Sequence, residues 1–130
     1  MSNIIQIINE LHDFLPLGPA TEIEISDAEI QLCIQFANDY KEYLTEFGAV
    51  IADGIELTGI AKSEHRNVVS VTVKERELNS NVPLNLYVIE NIGIDGIIIW
   101  QDKKGDIYQT TPNNVPKKIA ESLSDYLKNR

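Results

Sequence analysis

The residues able to do chemistry are few and dispersed. Cys33 is the only thiol, and it sits between Ile30 and Ile34 on the apolar side of a helical pattern. A free cysteine in that setting reads as a small buried hydrophobe. The two imidazoles, His12 and His65, have no carboxylate-and-nucleophile pattern around them and read as surface residues. Nucleophilic or acid–base catalysis needs such groups within hydrogen-bond reach of one another, and the spacing along this chain brings none together. Metal chemistry is not suggested either, since there is no H-x-x-x-H, no C-x-x-C and no EF-hand loop. Four carboxylates lie within Thr21–Glu29, namely Glu22, Glu24, Asp27 and Glu29, but acids are favourable at the start of a helix without any metal. No glycine-rich loop leads into a helix to hold a phosphate. The expectation is therefore no catalytic group, no metal and no cofactor. An enzyme would instead need a deep pocket with convergent polar groups, for which Glu56, Trp100 and Tyr108 are the candidates.

Charge is more informative. The 130 residues carry a net charge of -9. Residues 1–60 hold 11 Asp and Glu against one basic residue, Lys41, whereas residues 61–130 hold 9 acidic and 10 basic residues. The negative charge thus belongs almost wholly to the first half. An acidic surface repels the phosphates of nucleic acids and of anionic lipids, so neither is an expected partner. It attracts a basic protein and speeds the encounter, although many proteins are acidic for solubility alone.

The elements that must position these residues follow from periodicity. An apolar share of 43% in 130 residues fits one packed domain spanning 1–130. The single cysteine excludes an internal disulfide and suits a reducing compartment. The opening MSNIIQIINELHDFL lacks the basic start of a secretory leader, and no apolar run approaches the length of a membrane span, so a cytoplasmic location is expected. Ile4, Ile5, Ile7, Ile8 and Leu11 predict a first helix near 3–14. Thr21–Ile25 reads as extended or as an approach to the next helix. Ser26 and Glu29 have the spacing of a capping box, which predicts a second helix near 27–35. In the stretch NDYKEYLTEF, Tyr40, Tyr43, Leu44 and Phe47 form one apolar stripe, with Asp39, Glu42 and Glu46 opposite, which predicts an amphipathic helix over 38–47 stopped by Gly48.

Beyond Gly48 the period shortens. Ala49–Ala52 and Ile55–Thr58 read as strands around the Asp53-Gly54 turn. Residues 67–78, NVVSVTVKEREL, fit either a strand, from the alternating valines, or a helix, from KEREL. Leu84–Glu90, Gly96–Gln101 and Asp106–Thr111 read as strands, the middle one buried on both faces. Trp100 ends that strand beside a charged turn, as a core-edge residue or a half-exposed interface anchor. Ile119, Leu123, Tyr126 and Leu127 predict a last helix near 116–128. The fold class is α+β, with an antiparallel sheet of about four to six strands flanked by N-terminal helices and a C-terminal helix.

The order of these segments resembles the SUKH superfamily, the SMI/KNR-like immunity proteins. The resemblance rests on ATEIEISDAEIQLCIQFANDYKEYLTEFGAVIADGIELTGI over residues 20–60, then NVVSVTVKEREL, LYVIENIGIDGIIIWQDKKGDIYQ and a final S-L-x-x-Y-L helix. It departs where the family usually carries proline before the third helix, since Phe36-Ala37-Asn38-Asp39-Tyr40 has Ala37 instead. The resemblance implies a helix for residues 67–78. It further implies an immunity protein, or antitoxin, that binds and neutralises a cognate polymorphic toxin, often a nuclease, without catalysis. A regulatory protein-interaction module of the same superfamily is the alternative. The partner would be a basic toxin domain and the chain a monomer or weak dimer. The candidate contact residues are Asp39, Glu42 and Glu46 on the third helix, with Asp53 and Glu56 at the following turn and strand.

Overall fold

The computed structural model describes residues 3–130. Its twelve elements run α1 (Ile4–Asn9), β1 (Leu15–Pro16), α2 (Glu22–Leu32), α3 (Asn38–Phe47), β2 (Val50–Ala52), β3 (Ile55–Leu57), α4 (Val68–Leu78), β4 (Tyr87–Asn91), β5 (Ile98–Gln101), β6 (Ile107–Thr110), β7 (Lys117–Ala120) and α5 (Leu123–Lys128). The seven strands form one antiparallel sheet in sequential order, β1 to β7. The α+β expectation holds, with one strand more than the range expected.

β5 is buried along its whole length, as its apolar run requires. Alternation sends Ile99 to the main core and Ile98 and Trp100 to a second cluster with Val71 of α4 and Val88 of β4. Trp100 is 1% exposed and donates its indole N–H to Thr110 Oγ1 at 2.9 Å, so it is a core residue and not a surface anchor. The main core lies on the other face, under α1, α3 and α5. There Phe36, Tyr40 and Tyr87 meet in edge-on and tilted contacts with ring centroids 4.8 to 5.0 Å apart.

α3 spans the expected residues, and Gly48 ends it with φ +73°. A Cβ on Gly48 would collide with the Gly18 carbonyl, and one on Gly59 with the Gly48 carbonyl. Three backbone segments thus meet where no side chain fits. Residues 68–78 are helical, capped by Asn67 Oδ1 accepting from Val69 N and Ser70 N.

Four expectations are corrected. α1 stops at Asn9, because residues 10–14 turn, with Asp13 at φ +54°, to place Leu15 and Pro16 against Ile51 and Val50. α2 begins at Glu22 and not near 27. Its capping box is Thr21 with Glu24, so Thr21–Ile25 is the helix start and Ser26 lies inside it. Cys33 is an exposed C-cap in the left-handed region, not a buried hydrophobe. The last helix is preceded by an edge strand, β7, and begins only where the Ser122 hydroxyl accepts from Asp125 N.

Burial pushes the phenols of Tyr40, Tyr43, Tyr87 and Tyr126 upward, and the Glu90 carboxylate adds to the effect on Tyr126. Unfolded, they ionise near 10.0. Above that pH the unfolded chain binds fewer protons than the folded one, so stability falls as pH rises. The melting temperature should hold from about pH 7 to about 9 and drop beyond about 10. Phenolate absorbance from four of the five tyrosines should appear only with unfolding. Their ionisation in the folded protein would contradict this burial.

Candidate protein-interaction surface

The five acidic candidates do not share one fate. Asp39 is 8% exposed. Its Oδ1 accepts from Gln101 Nε2 at 2.9 Å and its Oδ2 from the Leu123 amide at 2.8 Å. It is therefore an internal link between α3, β5 and α5, and the expectation that it faces outward is wrong. The reason is tertiary: α5 closes over the first turn of α3, so the acidic stripe is covered at that end. Farther along the same stripe, Glu42 is half-buried and Glu46 exposed.

Asp53 is exposed at the β2–β3 turn, with His12 Nδ1 at 3.7 Å from its carboxylate. Its amide donates to the His12 carbonyl at 3.0 Å, which ties this turn to the segment after α1. Glu56 on β3 is already paired, since Arg66 Nε donates to its Oε1 at 3.1 Å. Glu42, Glu46 and Asp53 are thus the candidates best placed to meet an incoming base.

The structure also assembles a group that the spacing along the chain did not reveal. Ser63 Oγ lies 2.6 Å from His65 Nδ1, and His65 Nε2 lies 3.8 Å from Glu56 Oε1. Nucleophile, base and acid are therefore adjacent, contrary to the reading of His65 as isolated. The geometry is nevertheless unsuited to acyl transfer. The His65 side chain is 70% exposed, so water is not excluded, and Arg66 competes for the carboxylate. The Arg66 and Asn67 amides both donate to the Ser63 carbonyl and are not aimed at a developing oxyanion. Glu56 is not near the other two enzyme candidates either. Trp100 and Tyr108 face each other across β5 and β6, while Glu56 pairs with Ile51 on β2.

A second buried acid was also missed. A bulge between Val88 and Glu90 turns Glu90 to the α5 side, where it is 1% exposed. It accepts from Tyr126 Oη at 2.6 Å and from Arg130 Nε and Nη2 at 2.9 and 2.6 Å. Arg130 also donates to the Gly54 carbonyl at 2.8 Å. The hydrogen bonds to Glu90 raise the Arg130 pKa further. The signal in sequence was a lone carboxylate in the apolar run YVIEN.

The Ser63–His65 pair gives a direct test of chemistry. Hydrolysis of p-nitrophenyl acetate by the protein should be no faster than by free imidazole at equal concentration, and Ser63→Ala should leave it unchanged. A rate abolished by Ser63→Ala would make the pair catalytic.

Among the described residues, no helix is long and apolar enough to cross a membrane. A protein from Pseudomonas syringae pv. tomato, known as a crystal structure, superposes with a TM-score of 0.79 at 20% identity, covering 99% of this chain and 96% of that one. At that identity the likeness speaks for the fold. No curated protein matches the sequence. The SUKH_5 family model, described as SMI1-KNR4 cell-wall, matches residues 1–130. The chain therefore belongs to the SUKH family of SMI1-KNR4-like domains.

Proposed function

We propose that this chain is a cytoplasmic immunity protein that binds a cognate toxin domain, a basic nuclease, and neutralises it stoichiometrically without chemistry of its own. The observation that carries this reading is the charge division: 11 acidic residues against one basic in residues 1–60, and near balance in the rest. Nuclease domains are basic where they grip nucleic acid. An acidic partner is steered to that site and, once seated, keeps the phosphate backbone out. Glu42, Glu46 and Asp53 are the proposed contacts, with Glu56 contributing where Arg66 releases it. Asp39 supports the α3 scaffold that presents them. The interior fits a binding role, because the buried carboxylates Asp39 and Glu90 are each taken up by neighbouring donors of the fold itself. The cell-wall description of the family favours a second reading, an intracellular regulatory module that binds an unrelated partner.

The test is expression of the neighbouring open reading frame in a host, with and without this chain. The proposal expects the neighbour to kill, this chain to rescue, and the two to co-purify. Glu42→Lys with Glu46→Lys should leave the fold intact and slow association about tenfold at low salt. A harmless neighbour, or rescue without a complex, would move the regulatory reading ahead.

A further inference from the structure

A cleft of about 380 Å3 opens on the α4 face of the sheet, opposite α3. Its size falls in the range of ligand pockets, about 300–1,000 Å3. Leu78 of α4, Ile98 and Trp100 of β5, and Pro112 supply its apolar lining. The fold fixes its walls. Asn79 Nδ2 donates to the Asn114 carbonyl at 3.0 Å and Asn81 Nδ2 to the Asn113 carbonyl at 2.9 Å, which ties the end of α4 to the β6–β7 loop. Gly96, at φ +69°, brings the β4–β5 loop onto that same loop, so closely that a Cβ would stand 2.7 Å from Pro112 Cγ.

One charge belongs to this lining. Glu75 is half-buried and is the only ionisable residue among those that line the cleft. Among the described residues, none donates a hydrogen bond to its carboxylate. Burial pushes the Glu75 carboxyl up, and the Lys74 charge opposes this. Lys74 is its neighbour on the helix, and adjacent helical residues do not face each other. Of the other charged residues next to the lining in sequence, Arg76 Nη2 donates to the Leu84 and Leu86 carbonyls, Glu90 is paired with Arg130, and Glu77 and Asp95 are exposed. The neutral acceptors are engaged: Thr110 Oγ1 accepts from the Trp100 indole, Thr111 Oγ1 from Asn114 Nδ2, and Asn91 Oδ1 from the Gly93 amide. Glu75 therefore sets the charge that a ligand of this cleft must answer.

A carboxylate beside apolar walls is best met by a cation that gives up water readily and carries apolar surface of its own. Guanidinium is more weakly hydrated than ammonium, and its planar fork meets both oxygens of a carboxylate. An aliphatic stem behind it can lie on apolar surface while the head stays on the charge. We infer that this cleft binds a guanidinium group on an aliphatic stem, with Glu75 taking the head and Leu78, Ile98 and Pro112 the stem. The same chemistry comes as a free alkylguanidine or as the arginine side chain of another protein. The inference goes beyond the immunity reading and does not rest on it, since Glu42 and Glu46 lie on α3, across the sheet.

Trp100 is the only tryptophan, so its indole N–H gives one reporter signal inside the cleft. The probes are propylguanidine, its uncharged counterpart propylurea, propylamine, and arginine blocked at both ends, each titrated into the isotope-labelled protein. The indole signal and the amides of residues 75–79 and 110–113 should shift with propylguanidine, less with propylamine, and not with propylurea. Glu75→Gln keeps the shape of the side chain and removes its charge. It should weaken propylguanidine binding about tenfold without lowering the melting temperature, because the carboxylate accepts no hydrogen bond within the fold. Blocked arginine bound as tightly as propylguanidine would make a protein side chain the source, and propylguanidine bound alone would make it a free small molecule. Equal binding of propylurea or propylamine, shifts centred on Glu42 and Glu46, no shift at all, or an affinity unchanged in Glu75→Gln would each overturn the inference.

Discussion

A carboxylate withdrawn from water must be met by donors, and the rest of this fold is arranged to supply them to Asp39. Gln101 Nε2 satisfies one oxygen and the Leu123 amide the other. Gln101 is held in turn, with its Oε1 accepting from Tyr87 Oη and its Nε2 also donating to the Gly105 carbonyl. Tyr87 Oη accepts from the Ala37 amide at the start of α3. The chain of bonds closes on the helix where it began. Moving α3, β5 or α5 separately would strand a buried polar group, at a cost of about 1–3 kcal/mol for each one left unpaired.

The same economy operates at two other points. Thr58 accepts from Tyr40 Oη, donates to the Val88 carbonyl and offers its own carbonyl to Tyr43 Oη. Glu90 gathers Tyr126 and Arg130 and fixes α5 on the sheet. Interior polarity in these places serves cohesion between layers. The proposed function draws on the exterior, where Glu42, Glu46 and Asp53 offer charge and Ile23 and Ile30 of α2 are exposed. Those are the materials of protein recognition.

Sequence periodicity located α3 correctly because its apolar and polar stripes are sharply divided. α2 was harder, since Ile23 and Ile25 alternate as in a strand while Thr21–Glu24 and Ser26–Glu29 both have capping-box spacing. Its outward isoleucines blur any single apolar face. β7 was hidden by Ile119, whose spacing to Leu123 continues a helical pattern, although Ser122 with Asp125 marked the true helix start. The burial of Asp39 had no local signal: it shares its stripe with Glu42 and Glu46, and only the tertiary closure of α5 separates them. The Ser63–His65–Glu56 group was equally illegible, because it depends on β3 and the loop before α4 coming together. The family resemblance supplied what periodicity left open, a helix at residues 67–78.

The measurement that tests this account most directly is the stability of Asp39→Asn beside its affinity for the partner. An amide can accept at one of the two donors but not at both as a carboxylate does. The account predicts a loss of about 2–3 kcal/mol in unfolding free energy and unchanged affinity of the folded fraction. Unchanged stability with lost binding would contradict it, returning Asp39 to the acidic surface and leaving α3, β5 and α5 to be held together by something else.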